Sequence, residues 1–184
     1  FKLDKIKGSV STLTRAKIGP NNGEKLKSEE KIFFNKSSIE MKKNKFELEI
    51  DKDNTIRVMK GLQFDYFSEK SQKDFFIKDY NVTNLTDRMG MRLEGEKLEN
   101  IISKNIKSEG ISKGSIQIPG DGQPIVLLSD HPTIGGYPKI ANVITADYDK
   151  LVQKTPGSKL KFKLVNLLVA ENAFQEYIKK INIF

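Results

Sequence analysis

The most constraining feature of the sequence is a pair of short apolar runs, SIQI and QPIVLL, joined by the turn tetrapeptide PGDG. Proline and glycine end one extended segment here and let the chain turn into the next, which predicts a β-hairpin. Other runs rich in β-branched and aromatic residues read as strands in the same way: KIFFN, FELEI, TIRVMK, YNVTN, GMRLEGEKL, KIANVIT and KLKFKLV. Short strands with a turn signal about every ten residues predict a β-barrel or sandwich.

Helical signals are few. In SEKSQKDFFI, Ser68 is placed to cap a short helix whose Phe75 and Phe76 face the core. Asp147 to Gln153 has room for one or two helical turns. The final segment, VAENAFQEYIKKINIF, carries an apolar stripe at helical spacing, with acidic residues early and lysines late, as the helix dipole favours. The chain is therefore predicted to be mainly β with minor helices.

Composition narrows the classes of function. The 184 residues include no cysteine, which excludes disulfides, thiolate zinc sites and cysteine nucleophiles. With 37% apolar and 30% charged residues, the chain is typical of a soluble globular protein, and no run approaches the ~18 apolar residues of a membrane span. We expect no membrane association and a cytoplasmic location. The N-terminus has no signal-peptide pattern and no initiating methionine, which suggests a piece of a longer protein.

The net charge of +8 comes from 32 basic and 24 acidic residues. Because acidic residues interleave with the lysines, a solvated lysine-rich surface is favoured over a nucleic-acid patch, and no nucleic-acid partner is expected. Only four of the basic residues are arginines, and two of them, Arg88 and Arg92, fall within DRMGMR. An arginine retained in a lysine-rich chain indicates a need for its planar, always-charged fork, in a site or in packing and capping.

Several familiar motifs fail on their context. GDGQPI lacks the third glycine of a dinucleotide fingerprint and opens a strand, and DKDNT lacks the later ligands of a calcium loop. Met59-Lys60 resembles a biotin-accepting pair but lies at a strand end. A nucleophilic triad would depend on His131, the single histidine, and no G-x-S-x-G is present. We predict no metal site.

The stretch SDHPTIGGYPKIA keeps two interpretations open. Gly135-Gly136 fits a tight turn that needs positive φ, and it equally fits close approach of the backbone to a ligand whose anionic oxygen would meet exposed N–H groups. Asp130 would cap the turn or act as a base or substrate anchor. Tyr137 would belong to the core or orient a substrate.

Together these stretches resemble the carboxyltransferase-type family that includes the C component of 5-oxoprolinase, the kinase-inhibitor antagonist protein, and the urea amidolyase or allophanate hydrolase second-subunit proteins. The resemblance is strong from about Ile56 to Val165 and weaker over Ser11 to Gly23. It is specific because several motifs occur in order: Asn84, Arg88-Met89-Gly90, Arg92-Leu93, Gly95, Gly110, Gly114, Gln117, Pro119, Gly122-Gln123-Pro124, Asp130, Thr133, Gly135-Gly136-Tyr137-Pro138, Ile140-Ala141 and Ala146-Asp147.

The resemblance implies a fold and two domains. Residues 53–184 would form a cyclophilin-like β-barrel of carboxyltransferase type with a C-terminal helix, and residues 1–52 would be the remainder of an N-terminal β subdomain. Members usually carry a further N-terminal half of more than a hundred residues. Members also often have Gln-Thr-Thr before the glycine pair, where this chain has Pro132-Thr133-Ile134, which leaves the substrate open.

The function implied is that of one component of an ATP-dependent 5-oxoprolinase-type complex, which opens 5-oxoproline to glutamate. Its partners would be a first-subunit homologue and a third, lactam-handling subunit, with ATP used by the complex. The alternatives are a urea amidolyase or urea carboxylase-type carboxyltransferase domain, with biotin as cofactor, and a non-catalytic module that binds a partner.

For either chemistry the substrate is an amide or ureido group that needs a polarised oxygen and a proton acceptor. We expect Arg88 and Asp130 to be catalytic, with Asp130 as base. The remaining candidates would bind substrate: Arg92, Gln117, Gln123, Gly135, Gly136 and Tyr137.

Overall fold

The computed structural model describes residues 1–36 and 53–181, and the chain divides into two compact units, residues 1–48 and 49–184. The described part of the second unit contains nine strands and three α-helices: β1 Thr55–Lys60, α1 Glu69–Ile77, β2 Tyr80–Thr86, β3 Gly90–Glu94, β4 Glu109–Gly110, β5 Ser115–Gln117, β6 Ile125–Leu127, β7 Ile134–Gly135, β8 Lys139–Val143, α2 Thr145–Val152, β9 Lys159–Leu164 and α3 Leu167–Ile181.

Seven of these strands close into a barrel in the order β1-β8-β5-β6-β3-β2-β9. Strand β9 runs parallel to β1, and the other barrel neighbours are antiparallel. Alternate residues point inward, as in β3, where Met91 and Leu93 are buried and Arg92 is exposed between them. The predicted mainly β chain with minor helices and a closed, cyclophilin-like barrel is confirmed.

The hairpin predicted from PGDG is present. Strands β5 and β6 pair antiparallel, with Ile116 opposite Val126 and Gln117 opposite Ile125. The Gly122 N–H donates to the Pro119 carbonyl over 3.0 Å, and Gly122 has φ +79°, a backbone conformation that favours glycine. Local turn chemistry therefore sets the register of this pair.

The helix predicted at Ser68 is also present. The Ser68 hydroxyl accepts a hydrogen bond from the Ser71 N–H, and α1 buries Phe75 against the rings of Tyr80 and Phe162. The Phe75 and Phe162 rings stack with their centroids 4.6 Å apart, which ties the helix to β9. Phe76 is only partly buried against this core.

The first unit is less regular in its described residues, 1–36. It has two 3-10 turns, Thr14–Ala16 and Asn21–Gly23, and isolated bridges at Ile6–Ser9 and Leu13–Ile18. The strand predicted at KIFFN is wrong, since residues 31–35 form no strand and leave Phe33 and Phe34 exposed. A lone backbone hydrogen bond from the Lys2 N–H to the Phe33 carbonyl does not extend into a ladder. The strand predicted at FELEI lies outside the described residues.

Within the two described stretches, no helix has the length and apolar character needed to cross a membrane.

Candidate functional site

A two-stranded ribbon, β4 with β7, contacts the outer face of the barrel strands β5 and β8 through Gly135 and Glu109. Ile116 points into the barrel core, so its neighbour Gln117 points outward. Gln117 is nevertheless buried, because Gly135 of the ribbon lies directly against its amide. Polar side chains of the barrel wall are thus enclosed beneath the ribbon.

A cross-strand pair of residues in the barrel contacts a cross-strand pair in the ribbon. Gln117 lies opposite Lys139 in the β5–β8 ladder, and Glu109 lies opposite Gly135 in the ribbon. Gln117 contacts Gly135, and the Lys139 ammonium forms an ion pair with the Glu109 carboxylate. We call the polar cluster formed by Gln63, Glu109, Gln117 and Lys139 under Gly135 the ribbon site.

The Gln117 side chain has an unpaired donor. The residue is 5% exposed, and its Nε2 is fully buried with no hydrogen-bond partner among the described residues. Leaving a buried amide donor unsatisfied costs about 1–3 kcal/mol. Unpaired donors of this kind are unusual in folded proteins, and a ligand acceptor at this position would offset the cost.

Lys139 is a buried cation whose ion pair is with a partly exposed carboxylate. Its side chain is 4% exposed, whereas that of Glu109 is 36% exposed. The Glu109 Oε1 atom accepts from the Lys139 ammonium and also from Gln63 Nε2, the latter over 3.0 Å. The Lys139 N–H in turn donates to Gln63 Oε1 over 3.1 Å, which fixes the orientation of that amide. Hydrogen bonds from Lys139 and Gln63 hold the pKa of Glu109 below its usual range, so the carboxylate stays charged near neutral pH.

The glycine pair owes its residue type to close contact. Neither Gly135 nor Gly136 has positive φ. A Cβ at Gly135 would lie 2.7 Å from Gln117 Nε2 and 3.1 Å from Ile111 Cδ1, and one at Gly136 would lie 3.2 Å from the Ile106 carbonyl oxygen. The positive φ expected of a tight turn is therefore not found at either glycine, and the backbone at Gly135 closely approaches a side chain of the same protein.

Arg88 and Asp130 form a separate pair. Arg88 Nε donates to Asp130 Oδ2 over 2.6 Å and Nη2 to Oδ1 over 3.0 Å, and the Asp130 N–H donates to the Arg88 carbonyl. The hydrogen bonds from Arg88 lower the pKa of Asp130, and the same hydrogen bonds raise the pKa of Arg88. Because the two side chains are hydrogen-bonded to each other, either one can act on a substrate only after the pair separates.

The remaining candidates lie apart from one another. Arg92 is exposed on the outer face of β3, and Tyr137 is 41% exposed next to the ribbon. The Gln123 side-chain amide accepts from the Gly95 N–H and donates to the Gly95 carbonyl. These two hydrogen bonds hold the segment before β6 against the end of β3. The His131 ring bonds the adjacent Pro132 carbonyl.

The structure thus brings Gln117, Gly135 and Gly136 together and joins Arg88 to Asp130 elsewhere. Asp130 follows the far end of β6, whereas Gln117 lies opposite Ile125 at its start. Sequence reasoning missed Lys139, Glu109 and Gln63. The available signal was Lys139, a single charged residue that opens the apolar run KIANV.

No cluster of three or more His, Asp or Glu side chains able to hold a metal ion occurs in residues 1–36 or 53–181.

The chain is similar to one known protein family and to several of its members. The family model described as carboxyltransferase domain, subdomain A and B, matches residues 1–164. The C component of the 5-oxoprolinase of Haemophilus influenzae is 36% identical over 167 residues, which cover 91% of this chain and 54% of that protein. Its counterpart in Escherichia coli is 33% identical over 171 residues, covering 93% and 55%. The chain thus spans about half the length of these relatives.

A second group of similar proteins carries the names urea amidolyase and urea carboxylase. The urea amidolyase of Lachancea kluyveri is 28% identical over 188 residues, covering 89% of this chain and 10% of that protein. The crystal structure of the K. lactis urea amidolyase superposes with a TM-score of 0.79 at 26% identity, covering 97% of this chain and 12% of that one.

Proposed function

The chain belongs to the family of carboxyltransferase domains, subdomains A and B, and we propose that it serves as the C component of a 5-oxoprolinase-type complex. The complex would open the cyclic amide of 5-oxoproline to glutamate with hydrolysis of ATP. Two similar proteins that carry the name of this component, matched over more than nine-tenths of this chain, support the assignment over the urea branch, where identity is lower.

The observation that carries the proposal is the buried Gln117 Nε2 donor, which has no partner within residues 1–36 and 53–181, next to the buried Lys139. Resonance makes a lactam unreactive, and its opening needs stabilisation of the negative charge that develops on oxygen. An N–H donor that is already desolvated and fixed in place supplies that stabilisation without reorganisation. The ribbon site offers such a donor, and the buried Lys139 ammonium lies beside it in an ion pair with Glu109.

Arg88 and Asp130 have a secondary place in this proposal. Their bidentate pair lies on the surface, and the lowered pKa of Asp130 makes its carboxylate a weak base. Separation of the pair by a partner protein or substrate would free the Arg88 fork to bind an anionic group and Asp130 to accept a proton. Arg92 and Tyr137 would contact the substrate from the exposed surface. Gln123 would act indirectly, by holding Gly95 in place.

The urea-type alternative has its own support, the superposition with urea amidolyase over 97% of the chain. Under that alternative the ribbon site would receive a ureido oxygen, and a carboxyl group would arrive from carboxybiotin on a separate carrier. The two functions differ in what the protein requires, ATP with 5-oxoproline or a biotinylated carrier with urea.

The test is co-expression of the chain with its first-subunit homologue and the third, lactam-handling subunit, followed by measurement of glutamate released from 5-oxoproline and ATP. We expect release by the complex and a strong loss in Gln117→Leu, which removes the unpaired donor and keeps an apolar contact. Gln153→Leu, at an exposed position after α2, is the matched control and should keep full activity.

An intact complex that releases no glutamate would refute the proposal. Transfer of carboxyl from a biotinylated carrier to urea would establish the alternative, and a stable complex with neither activity would identify a partner-binding module.

A further inference from the structure

We propose that the ribbon site is a carboxylate-binding site in which Glu109 holds the place of the substrate's carboxylate. The inference deepens the proposed function and rests on it in choosing 5-oxoproline as the ligand to test. The carboxylate preference itself comes from the geometry of the described residues.

The first step is the convergence of donors. Lys139 Nζ and Gln63 Nε2 both donate to one oxygen of Glu109, and Gln117 Nε2 is buried nearby without an acceptor among the described residues. Gln117 and Lys139 are directly paired across the ladder, so their side chains project to the same side of the sheet. Three donors, one of them charged, suit a ligand with two acceptor oxygens.

The second step is the unequal burial of the ion pair. Lys139 belongs to a barrel strand and is 4% exposed, whereas Glu109 belongs to a two-residue strand and is 36% exposed. The cation is therefore fixed in the wall, and the carboxylate reaches it from the solvent side. If Glu109 swings outward, it regains hydration, while Lys139 stays buried and needs a replacement anion.

The third step distinguishes the possible substrates. Urea is neutral and has no carboxylate, so it cannot compensate Lys139 when Glu109 leaves. 5-Oxoproline carries a carboxylate on the ring carbon next to its N–H and a carbonyl on the other side of that nitrogen. Its carboxylate would take the place of Glu109 on Lys139 and Gln63, and the lactam carbonyl oxygen would accept from Gln117.

The experiment compares two ligands that share a ring. Calorimetric titration of the 184-residue chain with 5-oxoproline and with 2-pyrrolidinone, which has the same lactam without the carboxylate, measures the carboxylate's share of binding. We expect 5-oxoproline to bind at least about tenfold more tightly, as charge-assisted hydrogen bonds predict.

Three variants locate that preference. Lys139→Met should abolish the difference between the two ligands, and it should still fold, because Met fits a buried position and the partly exposed Glu109 can turn to water. Glu109→Gln should bind 5-oxoproline several-fold more tightly, since the competing charge is gone. Glu94→Gln, which makes the same charge change at an exposed position on β3, should bind as the parent does.

Equal binding of the two ligands, weaker binding by Glu109→Gln, or no saturable binding of 5-oxoproline to Glu109→Gln would overturn the inference. Glu109→Gln and Glu94→Gln keep the test decisive if Lys139→Met fails to fold. Because the readout is binding to the chain alone, a complex that releases no glutamate would refute the proposed function and leave this result standing.

Discussion

Gly135→Ala is the substitution that most directly examines the packing of the ribbon site. The new Cβ would lie 2.7 Å from Gln117 Nε2 and 3.1 Å from Ile111 Cδ1, so the amide must move by about 0.7 Å to reach ordinary contact at 3.4 Å. The Gln117 amide is the end of a flexible side chain, and its Nε2 makes no hydrogen bond among the described residues that this movement would break. Gly135 also has no positive φ, so alanine adds no backbone strain.

The stability cost should therefore lie at the low end for overpacking, about 1 kcal/mol. In a chain of this size that corresponds to a fall of about 2–4 °C in the melting temperature. The functional cost should be larger, because an error near 1 Å in the position of a binding group can reduce turnover about a hundredfold. Differential scanning calorimetry and glutamate release by the reconstituted complex measure the two effects separately.

Gly110→Ala is the matched control in the partner strand of the same ribbon. A Cβ at Gly110 meets nothing within 4 Å, so both melting and activity should remain those of the parent. The reasoning fails if Gly135→Ala keeps full activity, if it melts more than about 10 °C lower, or if Gly110→Ala shows the same losses.

Three further predictions concern interactions outside the ribbon site. Arg57→Met should lower the free energy of unfolding by about 3 kcal/mol in urea titration, because it leaves the buried Asp147 carboxylate without its cation. This is the low end of the cost of breaking a buried ion pair, and it applies because the Arg57 side chain is 36% exposed. A loss below about 1 kcal/mol would contradict the argument. Arg88→Ala should melt almost as the parent does at pH 7, since its ion pair with Asp130 is exposed. Because the pKa of Asp130 is lowered in the folded state, the small stabilisation from the pair is present above the ordinary value of 3.8 and is lost as pH falls through the lowered value. The melting temperatures of parent and variant should therefore converge in acid, below that lowered value. Ser68→Ala removes the acceptor for the Ser71 N–H at the start of α1 and should cost about 1 kcal/mol in the same titration, and an unchanged midpoint would mean that the cap contributes nothing.

The fold followed from signals that act over a few residues. The turn at Gly122 fixes the β5–β6 hairpin, and the Ser68 hydroxyl caps the start of α1. In both places the residue type indicates the local backbone geometry, so the sequence predicts it. KIFFN has equally good strand composition and forms no strand, because a strand also needs a partner edge. Closure of the barrel by β1 and β9 joins segments more than a hundred residues apart, and in this chain the resemblance to a known family supplied that expectation.

The site was harder to predict because its members are related through tertiary contacts. Gly135 is a glycine on account of Gln117, which lies eighteen positions earlier in the chain, and no local pattern records that contact. Lys139 and Glu109 are thirty positions apart and meet only because the ribbon folds over the barrel wall. By contrast, Arg88 stood out as one of only four arginines and Asp130 as an acidic residue in the turn before the glycine pair, and the structure pairs them with each other.

A bulge in the β5–β8 ladder explains why the ribbon site exists at all. Ile116 lies opposite Ala141, yet the next residue, Gln117, lies opposite Lys139, so Ile140 is the extra residue on β8. In a regular antiparallel register Gln117 would face Ile140, and Lys139 would face Ile118 one position further along. The extra residue instead brings Lys139 beside Gln117 while Ile140 remains buried in the core. Bulges often re-aim a side chain beside an active site. This one brings the Lys139 ammonium and the Gln117 amide, whose Nε2 has no partner in the described part of the chain, to the same side of the barrel wall, where the proposed carboxylate would bind.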